Sequence, residues 1–165
     1  HATMVPWMAA AILALSRGVG AVPRIPPTNT TFGIMIDAGS SGTRAHLFQW
    51  KTRRFDVLPP PLSVPATSVA WTEKVKPGIS AFWQYPPAVL TTLRVLIEWV
   101  KHQLKDKREW WGYYPIYLKA TAGMRELPTR QRTDLIMTVR KFLIDNQTCP
   151  FYFQEVEAAR VRSIF

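Results

Sequence analysis

Two apolar runs, Phe32 to Ile36 and Thr43 to Trp50, enclose the segment DAGSSG, and that order tightly limits the local fold. The first run is short, apolar and bounded by turn residues, as a buried strand is; the second mixes apolar and polar residues and reads as another strand. The turn between them, Ala38 to Gly42, makes a strand-turn-strand hairpin. Gly39 and Gly42 are read as positions free to take φ > 0, so that the backbone curls with N–H groups inward and approaches an anion closely. Ser40, Ser41 and Thr43 add hydroxyl donors, and Arg44 adds a planar cationic fork suited to phosphate oxygens. A carboxylate beside such a nest repels phosphate unless a cation stands between them. Asp37 therefore points to Mg²⁺ or Ca²⁺, held through water. The alternative is a glycine-rich hairpin that only turns the chain, with Asp37 capping it locally. A P-loop is excluded, because no lysine follows Gly42 and the next segment reads as strand rather than helix.

A second small-residue loop follows Ile116 to Lys119, which reads as a short strand. Thr121, Ala122 and Gly123 can bring backbone N–H groups and a hydroxyl to an anion, with Arg125 close by. The plain alternative is an ordinary strand-to-helix connection. Pro128 suits the first turn of the next helix, on which Leu135, Ile136, Val139, Phe142 and Leu143 recur at helical spacing. Between the two loops, the proline-bearing segment KTRRFDVLPPPLSVPATSVAW fits edge strands and loops but not a central strand. Pro77 and Gly78 mark a turn. A helix is expected after Tyr85, with Pro86 and Pro87 in its first turn and Val89, Leu90, Leu93, Leu96, Ile97, Val100 and Leu104 as its core stripe. Arg94, Glu98, Lys101 and Lys105 form its solvated face.

The chain has 165 residues, 47% of them hydrophobic, which is enough for one domain with a core. Its formal charge of +10 favours anionic ligands. The basic residues are scattered and no nucleic-acid-binding motif accompanies them, so nucleic acid is not expected as a partner. Val5 to Leu15 has the length of a signal-peptide apolar region and falls short of the ~20 residues of a membrane span. Residues 1–22 are read as a signal peptide or anchor, 23–31 as a proline-rich linker, and 32–165 as the folded lobe. Asn29-Thr30-Thr31 and Asn146-Gln147-Thr148 fit the N-glycosylation acceptor pattern, which agrees with a secretory route. The lone Cys149 is free, pairs between chains, or has its partner elsewhere.

DAGSSGTR and ATAGMR, in this order and context, resemble the first and second signature motifs of the apyrases, the nucleoside triphosphate diphosphohydrolases. KVKPGIS resembles a segment of those members that prefer nucleoside diphosphates. The resemblance runs from Phe32 to about Val156. It implies an α/β, actin-like (ribonuclease-H-like) fold of two lobes, each a mixed sheet flanked by helices. This chain would be the first lobe, truncated before the second. The resemblance implies a hydrolase, and the apolar amino-terminal run with the two acceptor tripeptides points to the secretory pathway: secreted, at the cell surface or in the lumen of the endoplasmic reticulum or Golgi, and touching a membrane only through an amino-terminal anchor. Water would attack the terminal phosphate of a nucleoside tri- or diphosphate, with the residues above on the phosphate and Asp37 on the hydrated cation. The family's water-activating glutamate belongs to a third motif expected beyond Phe165. Glu155 and Glu157 lack that motif's glycine pattern, so neither is assigned as base, and the chain alone is expected to be nearly inactive. An exopolyphosphatase-like enzyme and a non-catalytic secreted anion-binding protein are the alternatives.

Overall fold

The computed structural model describes residues 28–52, 63–120 and 122–153. Strands β1 (Thr30–Ala38), β2 (Thr43–Lys51), β3 (Thr72–Val75), β4 (Pro115–Ala120) and β5 (Tyr152–Phe153) form one mixed sheet in the order β3-β2-β1-β4-β5. Helix α1 (Val89–Gln103) joins β3 to β4, while α2 (Ala122–Arg125) and α3 (Thr129–Ile144) join β4 to β5. The hairpin of β1 and β2 forms in antiparallel register from Thr30↔Lys51 to Ala38↔Thr43. β1 starts two residues before the expected Phe32, inside the span read as linker, because Thr30 and Thr31 still find partners on β2.

Alternation along the central strands sorts their side chains. Phe32, Ile34, Ile36 and Ala38 of β1 join Ala45 and Leu47 of β2 and Ile116 of β4 in one buried cluster. The helices complete it with Val89, Leu93, Leu96, Ile97 and Val100 from α1 and Leu135, Val139, Phe142 and Leu143 from α3. These match the periodic stripes read from the sequence; only Leu90 and Ile136 are half-buried. Pro86 and Pro87 occupy a 3₁₀ turn (Pro86–Ala88) leading into α1. Pro128 caps α3 from one position before its first turn, and its carbonyl accepts the Arg132 N–H at 3.0 Å.

The opposite face of the sheet is half-open among the described residues. It carries Met35, Phe48 and Trp50, with the Trp50 indole lying across Gly33, where a methyl group would come within 2.5 Å of the ring. Lys105–Tyr113 is a 3₁₀ segment that the sequence did not reveal. Its Trp111 indole N–H donates to the Leu104 carbonyl at 2.9 Å, and the ring packs on Phe151, their centroids 5.6 Å apart.

Cys149 is free and fully buried in the core cluster, so an inter-chain disulfide would require the fold to open. Burial pushes its thiol from the ordinary 9.0 up to about 11, against smaller opposing effects of a backbone hydrogen bond to Phe151 and of Lys101. Between those two values the folded chain keeps a proton that the unfolded chain has lost, so stability must fall as pH rises through that window. The loss is about 2–3 kcal/mol by pH 11. Denaturation midpoints measured from pH 8 to 11 should fall more steeply for the wild type than for Cys149→Ala; parallel curves would contradict the assignment.

Candidate phosphate-binding site

Three loops leave the sheet at one end. β1 and β4 are parallel, and β3, antiparallel to β2, runs in their direction. The turn after β1, the segment after β3 and the loop after β4 therefore all start at carboxyl ends of parallel strands, where open α/β sheets bind their ligands.

Glycines let these loops touch. A methyl group on Gly78 would run into the Gly39 carbonyl oxygen and lie 2.7 Å from that of Ser40. On Gly123 it would lie 2.8 Å from both the Ser40 Cβ and the Ser80 Oγ. On Gly42 it would meet the Lys74 Cε at 2.7 Å and the Val75 carbonyl oxygen at 3.0 Å. Gly39–Ser40 is thus clasped by the segments after β3 and β4. None of the described glycines has positive φ, which corrects the expectation that Gly39 and Gly42 serve by left-handed curling. Gly42, Gly78 and Gly123 serve by close approach.

Asp37 stands on the half-open face at the end of β1. Register places Arg44 beside it on β2, Lys119 beside it on β4, and Lys74 beyond Arg44 on β3. Paired residues share a face, so one carboxylate stands in a cross-strand row with three cationic side chains. The Arg44 Nη1 is 3.9 Å from the Asp37 Oδ2, a long and partly solvated ion pair. The other carboxylate oxygen, Oδ1, is buried and accepts no hydrogen bond. A buried acceptor left unmatched costs about 1–3 kcal/mol, so it marks a place where a donor belongs.

The remaining expected residues divide. Ser40 and Ser41 are exposed beside the clasp and Gly39 is half-buried. Thr43 pairs with Ala38 on the helix-facing side and is fully buried, so its unpartnered hydroxyl does not stand in solvent with the serines. Strand alternation puts it on the face opposite Arg44. Ala122 opens α2, Gly123 is buried within it, and Arg125, at its end, is exposed and engaged in an interaction. Thr121 lies outside the described residues, as do residues 1–27 and the segment with Glu155 and Glu157. Asn29 and Asn146 are both exposed.

Gly78 and Ser80 were not identified as site residues from the sequence. Their only signals were the Pro77-Gly78 turn and the KVKPGIS resemblance, and neither shows that this segment reaches Ser40. Among the described residues, no group of three or more His, Cys, Asp or Glu side chains could hold a metal. A lone carboxylate with one free oxygen fits a cation that keeps its water shell, since a metal-bound water is a strong donor. No helix among them is long and apolar enough to cross a membrane.

Comparison with known proteins agrees with this architecture. The nucleoside diphosphate phosphatase ENTPD5 of Homo sapiens is 36% identical over 113 residues, which cover 68% of this chain and 24% of the relative. The Golgi apyrase of Saccharomyces cerevisiae is 37% identical over 114 residues, covering 63% of this chain and 18% of the relative. The chain therefore spans about a quarter or less of the length of these curated relatives. A crystal structure of nucleoside triphosphate hydrolases from Neospora caninum superposes with a TM-score of 0.53 at 16% identity, over 91% of this chain and 31% of that one. It supports the mixed sheet flanked by helices, consistent with an actin-like fold. Residues 24–160 match the GDA1/CD39 (nucleoside phosphatase) family, and the chain belongs to that family.

Proposed function

We propose that this chain forms the phosphate-binding lobe of a divalent-cation-dependent hydrolase of nucleoside di- and triphosphates. The observation that carries the reading is the clasp: two loops close on Gly39–Ser40 at the strand end where Asp37 keeps a buried, unmatched carboxylate oxygen. In this reading the backbone of the β1 turn and the Ser40 and Ser41 hydroxyls hold the outer phosphate oxygens. Arg44 offers those oxygens the donors that its long pairing with Asp37 leaves over. Thr121, Ala122, Gly123 and Arg125 close on the phosphate from the facing loop, and Thr43 supports the turn from the core side. Asp37 accepts hydrogen bonds from the water shell of Mg²⁺ or Ca²⁺, and the cation neutralises phosphate charge when bound. Positioning and charge neutralisation of this kind supply most of the catalysis in water attack on a terminal phosphate. No water-activating base is assigned to the described residues.

The relative named as a nucleoside diphosphate phosphatase supports a diphosphate substrate, and the one named for the Golgi supports a secretory-pathway address. Calorimetric titration of the chain with ADP and UDP, in Mg²⁺, Ca²⁺ or chelator, tests the proposal. Binding at least about tenfold tighter with a divalent cation is expected, in line with the effect of groups that orient a metal. Preference for polyphosphate over both nucleotides would favour the exopolyphosphatase-like reading. Binding that responds to salt but not to the cation would leave only a basic anion-binding surface.

A further inference from the structure

At the end of the sheet away from the three loops, where Tyr152 pairs with Pro115, the surface holds a cavity of about 410 Å³. That volume falls within the range of roughly 300–1,000 Å³ typical of small-molecule sites. Its wall includes Ile144, Pro150, Tyr152 and Phe153, and on its rim stands Asn146, the acceptor of the Asn146-Gln147-Thr148 tripeptide. Ile144 is 42% exposed, unusual for an isoleucine at the end of a core helix.

The turn that presents Asn146 is built without its side chain. The Asp145 carboxylate accepts the Gln147 N–H at 2.9 Å, and the Asp145 carbonyl accepts the N–H groups of Thr148 at 3.0 Å and Cys149 at 2.8 Å. The Thr148 hydroxyl donates to the Phe142 carbonyl at 2.6 Å, tying the turn to the last turn of α3. The hydrogen bonds that shape the turn run through Asp145, Gln147, Thr148 and Cys149, and the Asn146 side chain is exposed, so attachment to its nitrogen leaves those bonds in place.

We propose that Asn146 carries an N-linked glycan whose innermost N-acetylglucosamine is seated in this cavity. Sugar rings present a C–H face, which the apolar wall of Ile144, Pro150, Tyr152 and Phe153 matches. The reacting partner is a lipid-pyrophosphate-linked oligosaccharide. The amide nitrogen forms a bond to the sugar C1 as the C1–O bond to pyrophosphate breaks. The lipid pyrophosphate leaves with that electron pair, and the amide proton passes to solvent. The proposal rests on the secretory-lumen address proposed above but not on phosphate binding.

The test is expression of the 165-residue chain in cells that glycosylate, behind a cleavable signal sequence known to direct lumenal entry. With the added signal, the peptide containing residue 146 should carry an N-glycosidase-sensitive mass that Asn146→Gln removes. Lumenal protein unmodified at residue 146 would overturn the proposal. Because the added signal supplies lumenal entry, this outcome does not depend on the address proposed for the protein. For the seat, the glycan is trimmed to one sugar. The trimmed protein should melt roughly 2–4 °C above Asn146→Gln, and Ile144→Ser should abolish that difference. An absent difference, or one unaltered by Ile144→Ser, would overturn the seating.

Discussion

Asp37→Ala is expected to weaken cation-dependent nucleotide binding by about 10–100-fold, the usual range for removing a group that orients a metal from its outer shell. The same substitution should leave cation-independent phosphate binding unchanged or tighter, because Arg44 loses its carboxylate partner at 3.9 Å and the row through Lys74 and Lys119 loses its one negative charge. Stability should change little. Removing the buried, unmatched Asp37 Oδ1 relieves a desolvation cost, which offsets the loss of the long Arg44 ion pair and of the one negative charge among three cations. Opposite movements of binding with and without cation, together with a little-changed melting temperature, separate a cation-orienting role from a purely structural one. Asp37→Asn keeps the shape and loses the charge, and should follow Asp37→Ala. If the nucleotide isotherms of both variants keep the wild-type response to Mg²⁺ and Ca²⁺, the role given to Asp37 is wrong.

Gly78→Ala is expected to have the second large effect, about 1–3 kcal/mol of lost stability with a drop of several degrees in melting temperature, because it overpacks a closed contact. The added methyl meets the carbonyl oxygens of Gly39 and Ser40, and backbone cannot swing aside as a side chain can. The clasp must open, and nucleotide binding should fall with it. Two other glycines set the scale. At Gly42 the nearest obstacle, at 2.7 Å, is the Lys74 Cε, the far end of a flexible side chain, so Gly42→Ala should be milder. At Gly112 nothing lies within 4 Å, so Gly112→Ala should be nearly neutral. Thermal melts of the three variants should therefore rank in that order. Gly78→Ala melting with Gly112→Ala would contradict the close packing of the loops.

The parts of this fold visible in the sequence are those whose signals are local. The hairpin is bounded by its own turn, and α1 and α3 repeat apolar residues at the spacing that one buried face requires. β3 and β5 gave no such signal. They are edge strands of four and two residues, and β3, with the sequence TEKV, is strand because β2 offers it a partner. The phosphate loops were recognised by residue type, but the reason for their glycines was not. Conformational freedom is a property of a residue and can be inferred from the sequence. Close approach belongs to a pair, and nothing near Gly78 in the chain announces that Ser40 will lie against it. For the same reason residue type places Thr43 with Ser40 and Ser41, although Thr43 is the first residue of β2 and its pairing with Ala38 turns it to the core side.

The clasp brings together three stretches of chain that are far apart in sequence, around Gly39, Gly78 and Gly123. A ligand gripped by all three behaves like a reversible cross-link. Its binding energy offsets the entropy of closing two long loops, a cost that grows only slowly with their length. A ligand so held favours the folded chain by mass action, and the melting temperature then reports how full the site is.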